Sequence, residues 1–110
     1  MSITVDVVKS LAFQSEVIVV AASYSMFPTI KKGDRLSLRK ILYPTVKVGD
    51  IIAFHIANRK NIIVHRVLRV VKVVRETYFI TKGDNNPFDD PWIVTEKNFL
   101  GKVVGVKNQK

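Results

Sequence analysis

A mainly β fold with little helix, barrel-like or a coiled sheet, is predicted by three features of the sequence. Apolar runs rich in valine and isoleucine recur at roughly ten-residue spacing. Glycine–aspartate turns punctuate them, and helical periodicity is scant. In chain order, Asp6 to Phe13 reads as a short helix with Val8, Leu11 and Ala12 on one face. Glu16 to Ala22 is a β-branched run of strand length. Arg35 to Arg39 alternates polar and apolar and reads as a strand, as does Ile51 to Ala57. Asn61 to Val74 is a long valine-rich stretch, Thr77 to Thr81 a further strand and Phe99 to Val106 the last. The turns fall at Lys32-Gly33-Asp34, at Val48-Gly49-Asp50 and from Lys82 to Pro87.

Composition bounds what such a chain does. With 110 residues, 47% hydrophobic and 25% charged, it is expected to form one globular domain, residues 1–110, and not a disordered chain. The absence of cysteine removes disulfide scaffolds, thiolate metal sites and cysteine nucleophiles. Two histidines are too few for a histidine-built metal cluster. A net charge of +9 favours nucleic acid, anionic lipid or acidic partners without choosing among them. The longest uncharged run, Val17 to Ile30, holds 14 residues and contains Pro28. A membrane span takes roughly 20 apolar residues, so no transmembrane segment is expected in this chain. Asp6 and Glu16 interrupt the N-terminal apolar stretch and argue against a signal peptide.

Without cysteine, the candidate nucleophiles are hydroxyls, which need a base and oxyanion donors to react. The most unusual segment is Ser23-Tyr24-Ser25-Met26-Phe27-Pro28-Thr29, directly after an apolar strand. Its plainer account is a strand-to-loop junction whose serines cap exposed amides. His55 and His65 each lie in apolar strands, either as packed rings or as a general base. Asp84, Asp89 and Asp90 cluster in a loop with Gly83, Asn85, Asn86, Pro87 and Pro91. They suit an Asx-turn loop or the acid of a Ser-His-Asp system, while the spacing of a calcium loop is lacking. Between Asp50 and Glu76 there are no acids, and Arg59, Lys60, Arg66, Arg69, Lys72 and Arg75 are all basic. A solvated strand surface accounts for it. A nucleic-acid groove interleaves exposed aromatics with such charges, and none occurs from Ile56 to Thr77.

Taken in order, the motifs resemble a known family. They are Ser25-Met26-x-Pro28-Thr29, Gly33-Asp34, Gly49-Asp50-Ile51-Ile52-Ala53-Phe54 and Ile63-Val64-His65-Arg66-Val67. Ile80-Thr81-Lys82-Gly83-Asp84-Asn85-Asn86 follows with Asp89-Asp90, then Gly101-Lys102-Val103-Val104-Gly105. The series resembles type I signal peptidases, in the archaeal and endoplasmic-reticulum branch that uses histidine where bacterial enzymes use lysine. The likeness runs from about Val17 to Val106. It implies the coiled β-sheet peptidase fold shared with self-cleaving SOS-type repressors. It also implies a serine endopeptidase that cuts signal peptides of secretory preproteins after small residues, typically Ala-x-Ala. Carried over by motif, Ser25 is the nucleophile and His65 the general base. Asp90 is the triad acid, Asp84 a supporting acid, and Ser23 assists the Ser25 amide in the oxyanion hole. Met26 and Pro28 of the same motif are assigned to substrate binding, with shallow apolar pockets flanking Ser25. No cofactor or metal is implied, and His55 matches nothing catalytic.

Two departures from the family pattern stand out. Tyr24 occupies a position usually held by glycine, where a bulky residue restricts the backbone and narrows the site. The sequence also carries no counterpart of the family's flanking membrane helix. The apolar span from Val7 to Ala22 and the charge of +9 are expected to meet an anionic membrane surface. The catalytic domain is accordingly expected to be membrane-associated, on the extracytoplasmic or lumenal face. No nucleic-acid partner is expected, and the oligomeric state is left open. The alternatives are a basic β-barrel that binds nucleic acid through Arg59 to Arg75, and a related peptidase with another substrate. A repressor-type domain that cuts only itself uses a lysine base, and His65 in that slot argues against it.

Overall fold

Seven antiparallel strands form one curled sheet in the order β1-β2-β7-β3-β4-β5-β6. The strands are β1 (Glu16–Val20), β2 (Arg35–Arg39), β3 (Ile51–His55), β4 (Ile62–Val73), β5 (Glu76–Lys82), β6 (Ile93–Val94) and β7 (Phe99–Lys107). One 3-10 turn, Tyr43–Thr45, is the helical element among the described residues. The computed structural model describes residues 16–56 and 61–108. The expected helix from Asp6 to Phe13 lies outside them, as do Ala57, Arg59 and Lys60.

The mainly β expectation is met, and most strands start and stop within a residue or two of the sequence reading. The run expected to continue to Ala22 ends at Val20, because the Ala21 N–H already turns to the Asp34 carbonyl. The short β6 carries no alternation of its own and pairs with β5 only through Phe79↔Val94 and Ile80↔Ile93. The last strand, β7, runs between β2 and β3, which brings both halves of the chain into one sheet. That approach is close: a Cβ on Gly101 would stand 2.9 Å from the Arg39 carbonyl oxygen.

Alternation along the strands divides the apolar side chains between two clusters. Ile52 and Phe54 of β3 join Val67, Phe79, Val94, Tyr43 and Val46 in the larger one. Ile51 and Val64 turn to the smaller one, built on Met26, Ile30 and Leu36. Burying Met26 and Ile30 contributes about 1.5–3 kcal/mol each, so the strand-free segment between β1 and β2 is anchored on both sides of its exposed Phe27–Thr29 tip. That segment carries Ser25.

A basic repeat at every third residue does not fit strand alternation, and β4 explains how it is accommodated. The β4–β5 register shifts between Val67 and Arg69, where one residue is inserted and the side-chain parity changes. Arg66 and Arg69 thereby both turn to acids of the loop that follows β5, as described next.

Candidate active site

Three elements meet at Ser25: the segment after β1, the start of β4 and the loop after β5. The Ser25 hydroxyl lies 3.1 Å from Nε2 of His65, and Nδ1 of the same ring lies 2.6 Å from Oδ2 of Asp90. With Nδ1 protonated and facing the carboxylate, Nε2 is left as the acceptor for the Ser25 proton. The His65 and Asp90 side chains are only 8% and 5% exposed, which shields the hydrogen bond between them from competing water. His65 also packs edge-to-face on Phe54 at 6.4 Å, which limits rotation of the ring.

Ser23 stands beside the nucleophile. Its Oγ accepts the Ser25 N–H at 3.3 Å and lies 3.2 Å from the Ser25 hydroxyl. When Ser23 donates across that second contact, the Ser25 proton is directed toward His65.

The three clustered aspartates turn to three different partners. Asp90 meets His65. Asp89 meets Arg69 at 3.2 Å on the surface. Asp84 accepts two hydrogen bonds from Arg66, Nε to Oδ1 at 2.8 Å and Nη2 to Oδ2 at 2.7 Å, and a third from the Thr29 hydroxyl at 2.7 Å. The Arg66 contact holds the Asp84 carboxyl below the usual carboxylate range; partial burial opposes this and Thr29 reinforces it. These are cross-strand ties to other elements, and not the local backbone bonds of an Asx-turn.

The same loop straps the nucleophile segment in place. The Asn85 N–H donates to the Ser25 carbonyl at 2.8 Å and its side-chain amide to the Tyr24 carbonyl at 3.1 Å. The Asp84 N–H points to the Met26 sulfur at 3.3 Å. Gly83 makes the contact sterically feasible, since a Cβ there would lie 2.6 Å from the Ser25 carbonyl oxygen.

A cleft of about 320 Å³ opens at Ser25 and His65. Val19, Ala21, Ala22, Met26, Leu36 and Val64 give it an apolar wall, and Ser23 and Asn86 contribute polar groups. Met26 lies in this wall; Pro28 is exposed and does not line it. Tyr24 projects outward at 54% exposure and stacks edge-to-face on Phe27, with ring centroids 6.0 Å apart. His55 ends β3 away from the cleft, its backbone paired with Asn98.

Sequence reasoning gave no role at the active site to Arg66, Thr29, Asn85 or Thr81. Thr81 had one available signal, a polar residue on the buried face of β5 in phase with Phe79. The hydrogen bonds of the other three span the fold, and nothing local to each residue announces them.

The chain is 35% identical to the signal peptidase complex catalytic subunit sec11 of Schizosaccharomyces pombe, over 88% of this chain and 66% of that protein. It is 41% identical to human signal peptidase complex catalytic subunit SEC11C, over 80% of this chain and 48% of the relative. To SEC11 of Chaetomium globosum it is 35% identical, over 80% and 56%. The chain belongs to the type I signal peptidases, of the endoplasmic-reticulum type. No protein-family model matches it. The chain spans about half to two-thirds of the length of these type I signal peptidase relatives. Among the described residues, no helix is long and apolar enough to cross a membrane.

Proposed function

We propose that this chain is a serine endopeptidase that cleaves the signal peptides of secretory preproteins, with Ser25, His65 and Asp90 as its hydrolytic triad. The observation that carries the reading is the hydrogen-bonded series Ser25 Oγ–His65 Nε2 at 3.1 Å and His65 Nδ1–Asp90 Oδ2 at 2.6 Å. His65 takes the Ser25 proton as the oxygen attacks the scissile carbonyl, and returns it to the leaving amine. Asp90 keeps the ring in the tautomer that leaves Nε2 free and stabilises the imidazolium that forms. The oxyanion is received by the Ser25 N–H, released from Ser23 as the Ser23 hydroxyl turns to the same oxygen. Water then hydrolyses the acyl-enzyme by the same base.

Substrate class follows from the wall of the cleft. Ala21, Ala22 and Val64 offer shallow apolar contact beside Ser25, suited to small residues such as the Ala-x-Ala pattern of signal peptides. Membrane association at the extracytoplasmic or lumenal face is part of the proposal. Its support is the name of the relatives, subunits of a signal peptidase complex, and the net charge of +9 beside exposed Val17, Ile18 and Val20. The nucleic-acid alternative loses its surface in part, because Arg66 and Arg69 are engaged by Asp84 and Asp89.

The test is Ser25→Ala on a peptide bearing an Ala-x-Ala site. Loss of cleavage with an unchanged unfolding midpoint is expected; turnover at the unmodified rate overturns the reading.

A further inference from the structure

We infer that Thr81 is a positioning residue for the triad, fixing through its hydroxyl the Asp90 carboxylate that orients His65. The inference rests on the Ser25-His65-Asp90 reading. Thr81 Oγ1 donates to Oδ2 of Asp90 at 2.7 Å, the same oxygen that meets His65 Nδ1 at 2.6 Å. The Asp90 N–H donates to the Thr81 carbonyl at 2.8 Å, so one residue holds the acid by both backbone and side chain.

This hold matters because of where Asp90 sits. It belongs to the irregular segment between β5 and β6, which gives it no ladder of its own. Thr81 lies within β5, fully buried, and pairs with Val67 across β4. His65 is two residues before Val67 and therefore on the same face of β4. The strand pair β4–β5 thus presents the base and the Thr81 hydroxyl side by side, and the hydroxyl transmits that rigidity to a loop carboxylate. A carboxylate held by the imidazole alone is free to swing about its χ2, whereas two donors on one oxygen fix the plane of the group. A β-branched threonine is stiff at χ1, which makes the donor itself immobile. A buried hydroxyl also needs a partner, and Asp90 supplies one.

The experiment compares Thr81→Val, which keeps shape and removes the donor, with Thr81→Ser, which keeps the donor. Both are assayed on the Ala-x-Ala peptide beside Ser25→Ala. Thr81→Val is expected to lower kcat on the order of 10–100-fold with KM unchanged, and Thr81→Ser to retain most of the turnover. A wild-type kcat in Thr81→Val overturns the inference, and so does an equal loss in Thr81→Ser or a change confined to KM. Turnover persisting in Ser25→Ala instead overturns the triad reading itself. Should Thr81→Val not fold, Thr81→Ala takes its place in the comparison. If both unfold while Thr81→Ser folds, the hydroxyl serves folding and the inference falls.

Discussion

Arg66 grips Asp84 with two guanidinium nitrogens, at 2.8 and 2.7 Å, one residue after the histidine that faces Ser25. The third nitrogen, Nη1, donates to the Gly49 carbonyl at 2.9 Å, so the arginine also ties the turn before β3. Asp84 passes the restraint on, through Thr29 and Met26, to the far side of the nucleophile segment. The ion pair is therefore a brace between strand β4 and the segment that carries Ser25, and it touches neither the nucleophile nor the base.

That brace has a pH signature. The Asp84 carboxyl is lowered from its ordinary value of 3.8 chiefly by its hydrogen bonds from Arg66. A group depressed in the folded state contributes stability that is present above its unfolded pKa and lost as pH falls through the folded one. Stability from this pair is thus complete at neutral pH, begins to fall near pH 4 and is lost as pH drops through the lowered folded value. Asp84→Asn is expected to cost about 1–2 kcal/mol at pH 7. Urea midpoints of the two proteins, measured from pH 7 down to 2, should converge at the acid end; a gap independent of pH refutes the electrostatic account.

Asp90→Asn tests the acid that Asp84 does not replace. The amide preserves size but presents a donor as readily as an acceptor, which allows the wrong imidazole tautomer. The expected loss in kcat is about 10³–10⁴-fold, with the fold retained. If the substitution leaves kcat within tenfold, Asp90 does not orient His65. Asp84→Asn, by contrast, is expected to lower the unfolding midpoint, because Asp84 joins β4 to the segment that carries Ser25 and touches neither Ser25 nor His65.

Much of this was legible in the sequence for a physical reason. Leu36 and Leu38 alternate with Arg35, Ser37 and Arg39, so the faces of β2 are written locally. Ser25, His65 and the Asp84–Asp90 cluster carry motifs contiguous in the chain. The pairing of acids with partners is not local. Asp84 and Asp90 are six residues apart in one loop, His65 and Arg66 turn to opposite faces of β4 by strand alternation, and only the fold of that loop sends one acid to Arg66 and the other to His65. The two-residue strand β6 was likewise invisible, being defined by its neighbour β5.

Tyr43 marks the opposite end of the sheet. Its hydroxyl shares its one proton between the carbonyls of Thr77 at 2.7 Å and Val94 at 3.1 Å, joining β5 to β6 within the larger core cluster. Burial, aided by the Glu96 charge, pushes this phenol up to about 12 from 10.0. A group raised in the folded state contributes stability that is complete below its unfolded pKa and is lost as pH climbs toward the folded one. The window is therefore pH 10 to about 12. In an absorbance titration the Tyr43 phenol should ionise well above pH 10, and Tyr43→Phe should abolish that phase. The same variant leaves two inward carbonyls short of a donor and is expected to cost about 1–3 kcal/mol. Ionisation of Tyr43 near pH 10 would contradict the buried hydrogen-bonded phenol.

Gly83 offers the sharpest steric test of the site. It follows Lys82, the last residue of β5, and lies where the strand end meets the Ser25 carbonyl. A Cβ at this position would stand 2.6 Å from that oxygen and 2.7 Å from the Asn86 amide nitrogen. The amide has room to swing away, but the carbonyl belongs to the backbone of the nucleophile and is held by the Asn85 N–H at 2.8 Å. Relief therefore requires the Ser25 segment to move, which lengthens the 3.1 Å contact between its hydroxyl and His65. Gly83→Ala is expected to cost about 1–3 kcal/mol of stability by overpacking. A displacement approaching 1 Å at the nucleophile lowers kcat about 10²-fold. The two effects separate experimentally, because turnover is measured well below the melting transition, where the variant is folded. Wild-type kcat in a folded Gly83→Ala protein would show that the strand end and the nucleophile are not in the close register seen here.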